Sequence, residues 1–301
     1  MAAGTHLANV VSSSRNASRS NPLVLWHLLS LDAPSVAALW TWFIARANRI
    51  HLPFNSVIAM AIAVWMLYAA DRLLDSRVVS SVPFSMSNEL EERHYFHRSN
   101  YSLFRIGIVL ASIALAMLLP GLASAATRLY LFLGGLLFGY FVLIHASGTT
   151  TATTNRSNRL PKELAVGIFF SAATFIPTVS RQPALRLALI PGALLFAVLC
   201  SLNCLFIYAW EHRETSSRAH PATRLALRFL PALATSAALL GLALAFGDSY
   251  LPWPIPTACA SAVLLLLTLH RSRSHLSPTP LRAAADLCLL TPLLLLPFLP
   301  R

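Results

Sequence analysis

Charge is what this sequence lacks. Only 11 % of its 301 residues are charged, while 56 % are hydrophobic, against roughly 25 % and 45–50 % in ordinary soluble domains. So few charges cannot cover a soluble protein of this length, which excludes a water-soluble globular fold. Lysine is nearly missing: of 23 basic residues only Lys162 is not arginine, a skew that fits genome composition better than function. The four cysteines, Cys200, Cys204, Cys259 and Cys288, all sit inside apolar runs. Cys200 and Cys204 share a helix face without a further ligand, and all four read as small apolar filler. The first 21 residues are polar and expected to be a flexible N-terminal segment, and no small-residue cleavage site follows an early apolar stretch, so no signal peptide is expected.

What the chain does contain is long apolar runs, such as LYLFLGGLLFGYFVLIHA at 129–146. About 20 residues of helix cross a hydrocarbon core, so runs of this length read as membrane spans. Nine are expected, at about 23–45, 53–75, 101–119, 128–146, 163–180, 187–210, 224–246, 251–270 and 282–300. The fold expected is an all-α integral membrane bundle, one polytopic domain over 1–301, around a central cavity open to the cytoplasm. SLDAPS at 30–35 splits the first run, with Asp32 suited to cap a helix start and Pro34 to its first turn. Residues 22–30 then form a short interfacial helix.

The formal net charge of +12 would suit nucleic acid, but the arginines lie between the apolar runs, where they set orientation. No nucleic-acid partner is expected; the lipid bilayer is. With the N-terminus in the cytoplasm, 17 basic residues fall on the inner side and 6 on the outer. This places the C-terminus outside and fits a bacterial inner membrane. Ten of the eleven acidic residues lie at or inside the inner boundary, with Asp248 the exception. The positive-inside rule does not ask for carboxylates, so that face has a use for negative charge. Its loops at 76–100, 147–162, 211–223 and 271–281 are also the longer ones.

Two segments carry paired acids. In YAADRLLDSR (68–77), Asp71 and Asp75 are four residues apart on one helix face. They either pair with Arg72 and Arg77 or hold a divalent cation such as Mg²⁺, which takes carboxylates plus substrate phosphates. In NCLFIYAWEHRE (203–214), Glu211 and Glu214 are three apart. They read as a solvated helix end or as a second cation site. Asn203 lies deeper and bonds either a ligand or a neighbouring helix. Alternating spans bring both acidic pairs to the cytoplasmic face, where metal and arginines could hold a diphosphate. Glu91, His94 and Arg98 share one face of an expected surface helix, a lone Glu-x-x-His pattern that suits a membrane surface or phosphate binding better than a di-iron site.

At these residues the sequence resembles the UbiA-type membrane prenyltransferases. SLDAPS is similar to the family's Arg-x-Asp-Lys-Pro opening, YAADRLLD to its Asn-Asp-x-x-Asp-x-x-x-Asp motif, and IYAWEHRE (207–214) to Tyr-Ala-x-x-Asp-Arg-x-Asp. LPKELAVGIFFSAATFIP (160–177) resembles the Pro-basic start of the fifth span. The chain departs in having Ala70 for Asn, Glu for Asp in the second motif, and no Asn-Arg-Pro element. The resemblance implies transfer of a prenyl group from a prenyl diphosphate to an aromatic or lipid acceptor, with Mg²⁺ on Asp71, Asp75, Glu211 and Glu214. Arg72, Lys162, Arg213 and Asn203 would hold the diphosphate. The eroded motifs leave an alternative, a non-catalytic isoprenoid- or lipid-binding or transport protein on the same scaffold. An unrelated secondary transporter would place its ionisable groups near the midplane, not at the helix ends.

Overall fold

The long apolar runs become helices because a chain in hydrocarbon must satisfy every backbone N–H and C=O internally. A computed structural model describes residues 22–78, 99–146, 160–211, 219–247 and 249–299, with the side chains of 74–78, 143–146 and 279 excepted. In chain order the helices are α1 (Pro22–Leu28), α2 (Asp32–Ala47), α3 (Phe54–Val78), α4 (Tyr101–Leu118), α5 (Ser124–Ala146) and α6 (Lys162–Arg181). They continue with α7 (Ile190–Glu211), α8 (Pro221–Arg228), α9 (Leu230–Gly247), α10 (Pro254–Arg271), α11 (Pro278–Cys288) and α12 (Pro292–Leu295). No strand occurs among the described residues. Eight stretches are long and apolar enough to cross a membrane, so the chain is a multi-pass α-helical membrane protein.

The first apolar run is broken where the sequence places SLDAPS. α1 and α2 meet at 89° and could supply one further crossing only as a broken pair. α2 alone has 16 residues, about 24 Å at 1.5 Å per residue, short of a core of about 30 Å. α1 buries one face, with Val24, His27 and Leu28 inside, and leaves Pro22 and Leu25 exposed. The expected span at 224–246 starts later, as α9, with α8 split from it. Pro231 has no N–H to give Leu227, so the helix breaks at Phe229. The last crossing runs from α11 through α12 and is interrupted at Pro292.

The packed centre is built by α2, α6, α7, α9, α10 and α11. Trp40 and Phe196 are fully buried with ring centroids 4.2 Å apart. The Trp40 indole Nε1 donates to the Leu289 carbonyl at 2.8 Å, tying α2 to the end of α11. α6 and α7 approach closely at Gly167, where an added Cβ would lie 2.1 Å from Ser201 Oγ and 2.5 Å from the Ala197 carbonyl. Small residues at a helix crossing let backbones meet where lipid offers no hydrophobic drive. α4 packs on α3 and α5 on α6. Both turn large apolar side chains outward, including Leu110, Met117, Phe132 and Phe138, a surface that suits acyl chains.

Candidate functional site

The polar centre begins at the break between α1 and α2. The Leu31 N–H donates to the Trp26 carbonyl at 3.0 Å and the Ser30 N–H to that of His27 at 3.0 Å, the paired bonds of a Schellman C-cap. That motif favours glycine in the left-handed position, and Ser30 stands there with φ of 58°. The turn folds the chain back so that His27 Nδ1 meets Asp32 Oδ2 at 2.6 Å. Asp32 Oδ1 accepts from the Ala33 N–H at 2.9 Å. Asp32 is the first residue of α2 and does not cap it as expected: Leu31 holds the N-cap position with no side-chain cap bond, and the second Asp32 oxygen turns to His27.

Three more helices bring polar groups to this point. From α3, Arg72 donates through NH1 to the His27 carbonyl at 3.2 Å and sets NH2 3.6 Å from Asp32 Oδ2. From α11, Asp286 Oδ2 lies 3.7 Å from His27 Nδ1. From α7, Asn203 Nδ2 donates to Asp286 Oδ1 at 2.9 Å. His27, Asp32, Arg72 and Asn203 are all less than a tenth exposed. Ionisable groups so placed in a membrane bundle are costly unless paired, and mark function or a structural lock. The Asn203 Oδ1 is buried with no hydrogen-bond partner.

Around this centre lies a more open ring. Lys162 Nζ, at the start of α6, is 3.7 Å from Asp71 Oδ2 at the end of α3, and both are substantially exposed. Thr223 on α8 donates to Glu163 at 3.0 Å, and Arg282 on α11 donates to Glu211 at the end of α7. Trp210 Nε1 donates to His270 Nδ1 at 2.9 Å, and Arg273 NH1 donates to the His270 carbonyl at 3.0 Å. A cavity of about 270 Å³ opens between Trp210, Glu211, Arg273, Leu276 and Arg282.

Of the site residues expected from sequence, Asp71, Arg72, Lys162, Asn203 and Glu211 come to one end of the bundle in neighbouring helices. Asp71 and Lys162 touch, while Arg72 and Asn203 belong to the buried centre. The side chains of Asp75, Arg213 and Glu214 lie outside the described residues, as do Glu91, His94 and Arg98. Among the described residues neither Asp71 nor Glu211 joins a group of three potential metal ligands, and Glu211 is committed to Arg282. The group that does converge is His27, Asp32 and Asp286, with ligand atoms within 4.8 Å of one another.

His27 was not singled out by the sequence, and Asp286 was counted only toward the inner face. A signal for His27 existed: an ionisable residue at the end of an apolar run, five positions before an aspartate across a helix break. Nothing local links either to Asp286. The chain matches no protein-family model, no curated protein and no solved structure.

Proposed function

We propose that this chain is a prenyltransferase-type protein. It takes a prenyl diphosphate at the polar end of the bundle and passes the prenyl group to an aromatic or lipid acceptor held among apolar helices. One observation carries the reading. The described parts of the segments that resemble the family, at 30–35, 68–77, 160–177 and 203–211, are distant in sequence yet reach one pole, with Asp32 beside Arg72 and Asp71 beside Lys162. That pole is the cytoplasmic one by the distribution of arginine.

Lys162, with its side chain 61 % exposed, is free to turn from Asp71 to a phosphate oxygen. In the transfer, the allylic C–O bond breaks and the diphosphate leaves with the electron pair. The acceptor supplies the electrons of the new bond and releases a proton. Fixed cations at the leaving group lower the barrier, and apolar walls keep water from the carbocation.

The test uses purified protein with a panel of prenyl diphosphates and acceptors, with and without Mg²⁺. Prenylated product that Lys162→Gln and Asp71→Asn abolish, with thermal stability kept, supports the reading. Absence of both product and diphosphate binding would falsify it. The second reading, a non-catalytic isoprenoid- or lipid-binding protein, is favoured by one observation: the described carboxylates Asp32, Asp71 and Glu211 already face basic partners. It expects prenyl phosphate binding without product, indifferent to Asp71→Asn.

A further inference from the structure

We infer that His27, Asp32, Asp286 and Asn203 form a site for a first-row divalent transition-metal cation, buried where α1, α2, α7 and α11 meet. The inference does not depend on prenyl transfer; it concerns what completes the ionic centre of the fold.

Charge comes first. With a neutral imidazole and both aspartates ionised, the cluster holds two carboxylates, Asp32 and Asp286, against one guanidinium, Arg72. In that state one negative charge is left over in the interior, where an unpaired ion is costly. A cation is called for. A proton would supply the charge, but it bridges only two heavy atoms. The orphan points further: the Asn203 amide is anchored to Asp286 through Nδ2, yet its Oδ1, less than 3 Å from that nitrogen by covalent geometry, is buried without a donor. A metal at the cluster would give this oxygen a partner if the amide turns toward it, as a fourth ligand beside His27 Nδ1 and one oxygen from each aspartate.

Geometry and donor chemistry agree. Ligands held at about 2.1 Å lie at most about 4.2 Å apart. His27 Nδ1 is 2.6 Å from Asp32 Oδ2 and 3.7 Å from Asp286 Oδ2, and the ligand atoms of His27, Asp32 and Asp286 lie within 4.8 Å of one another. In a tetrahedral shell such ligands sit about 3.4 Å apart, so the metal would replace the 2.6 Å His27–Asp32 hydrogen bond and part those two groups by about 0.8 Å. A ring nitrogen with carboxylate and amide oxygens suits Zn²⁺ or Mn²⁺, whereas Mg²⁺ and Ca²⁺ prefer all-oxygen shells. Arg72 stays outside the shell and holds Asp32 in orientation, as outer partners of metal-bound groups do.

The experiment uses the full chain in detergent micelles, stripped with EDTA and then equilibrated with Zn²⁺ or Mn²⁺ in the presence of excess Mg²⁺. Bound metal per chain is measured by mass spectrometry and the melting temperature by tryptophan fluorescence. The expected result is one metal per chain and a rise of several degrees in melting temperature. Both vanish in Asp286→Asn and His27→Gln and persist in Asp71→Asn. Without metal, Asp286→Asn should melt no lower than the unmodified chain, because the uncompensated charge is gone; this keeps the test decisive if His27→Gln fails to fold. Metal-free protein that Zn²⁺ and Mn²⁺ do not stabilise at pH 7, or bound metal that survives Asp286→Asn, overturns the inference. The first of those results would assign the missing charge to a proton. Prenyl transfer can fail or succeed independently, since metal stoichiometry and melting are read without substrate.

Discussion

Asn203 and Asp286, 83 positions apart in the chain, meet through a 2.9 Å bond from Nδ2 to Oδ1 that joins α7 to α11. The bond ties the helix carrying the second acidic segment to the last crossing, and through His27 and Asp32 to the first. A hydrogen bond to a charged group contributes about 1.5–3 kcal/mol. Asn203→Ala should therefore lower the melting temperature in detergent by several degrees. A melting temperature unchanged by Asn203→Ala would mean the two helices are held by apolar packing alone.

Arg72 and Asp32 test the same centre from the other side. Removing one member of a buried pair costs about 3–5 kcal/mol because the other is left uncompensated. Arg72→Leu alone should impair folding more than the double change Arg72→Leu with Asp32→Asn. The readout is the yield of monodisperse protein and its melting temperature, set out as a double-mutant cycle. Additive effects in that cycle would rule out the coupling that the 3.6 Å contact implies.

The crossing of α6 and α7 sets a steric limit. Gly167→Ala puts a Cβ within 2.5 Å of the Ala197 carbonyl, and overpacking of this kind costs about 1–3 kcal/mol. Ser201→Ala removes only the nearer hydroxyl. The double variant Gly167→Ala with Ser201→Ala should stay destabilised, since the Ala197 carbonyl is backbone and can yield only if the helices part. Full recovery in a thermal melt would contradict that.

Arg49 ends α2 in the left-handed region with φ of 58°, and the Ile50 N–H reaches the Ala45 carbonyl at 2.8 Å. A non-glycine residue there costs about 1–2 kcal/mol, against about 0.5–1 kcal/mol of unfolded-state freedom that glycine adds. Arg49→Gly should raise stability slightly. Arg49→Pro, which fixes φ near −65° and deletes the Arg49 N–H bond to Arg46, should lower it by several kcal/mol. A melt in which proline is tolerated as well as glycine would contradict this turn geometry.

Orientation is open to chemical labelling. Arg273 follows the end of α10, which lies against the end of α7, whereas Arg186 precedes the start of α7. Single cysteines at 186 and 273 should react with an impermeant maleimide from opposite sides in intact cells, with 273 reached only after permeabilisation. The unmodified chain, whose four cysteines all lie within helices, gives the background. Both positions reacting from one side would refute the arrangement.

The sequence by itself determined that the chain is helical and lives in a bilayer, because apolar runs of about 20 residues leave the backbone no other way to satisfy its hydrogen bonds. It also marked the break at SLDAPS, the interruption of the last crossing by proline, and Asn203 as a residue needing a neighbour, since each is a local rule written in one or two side chains. Tertiary structure decided who those neighbours are. Burial of His27, capture of Asp286 by Asn203, commitment of Glu211 to Arg282 and separation of α8 from α9 all depend on which helix faces which. Charge counted along a chain says how many ions a membrane face must accommodate; only packing in three dimensions says which of them cancel and which still need a cation.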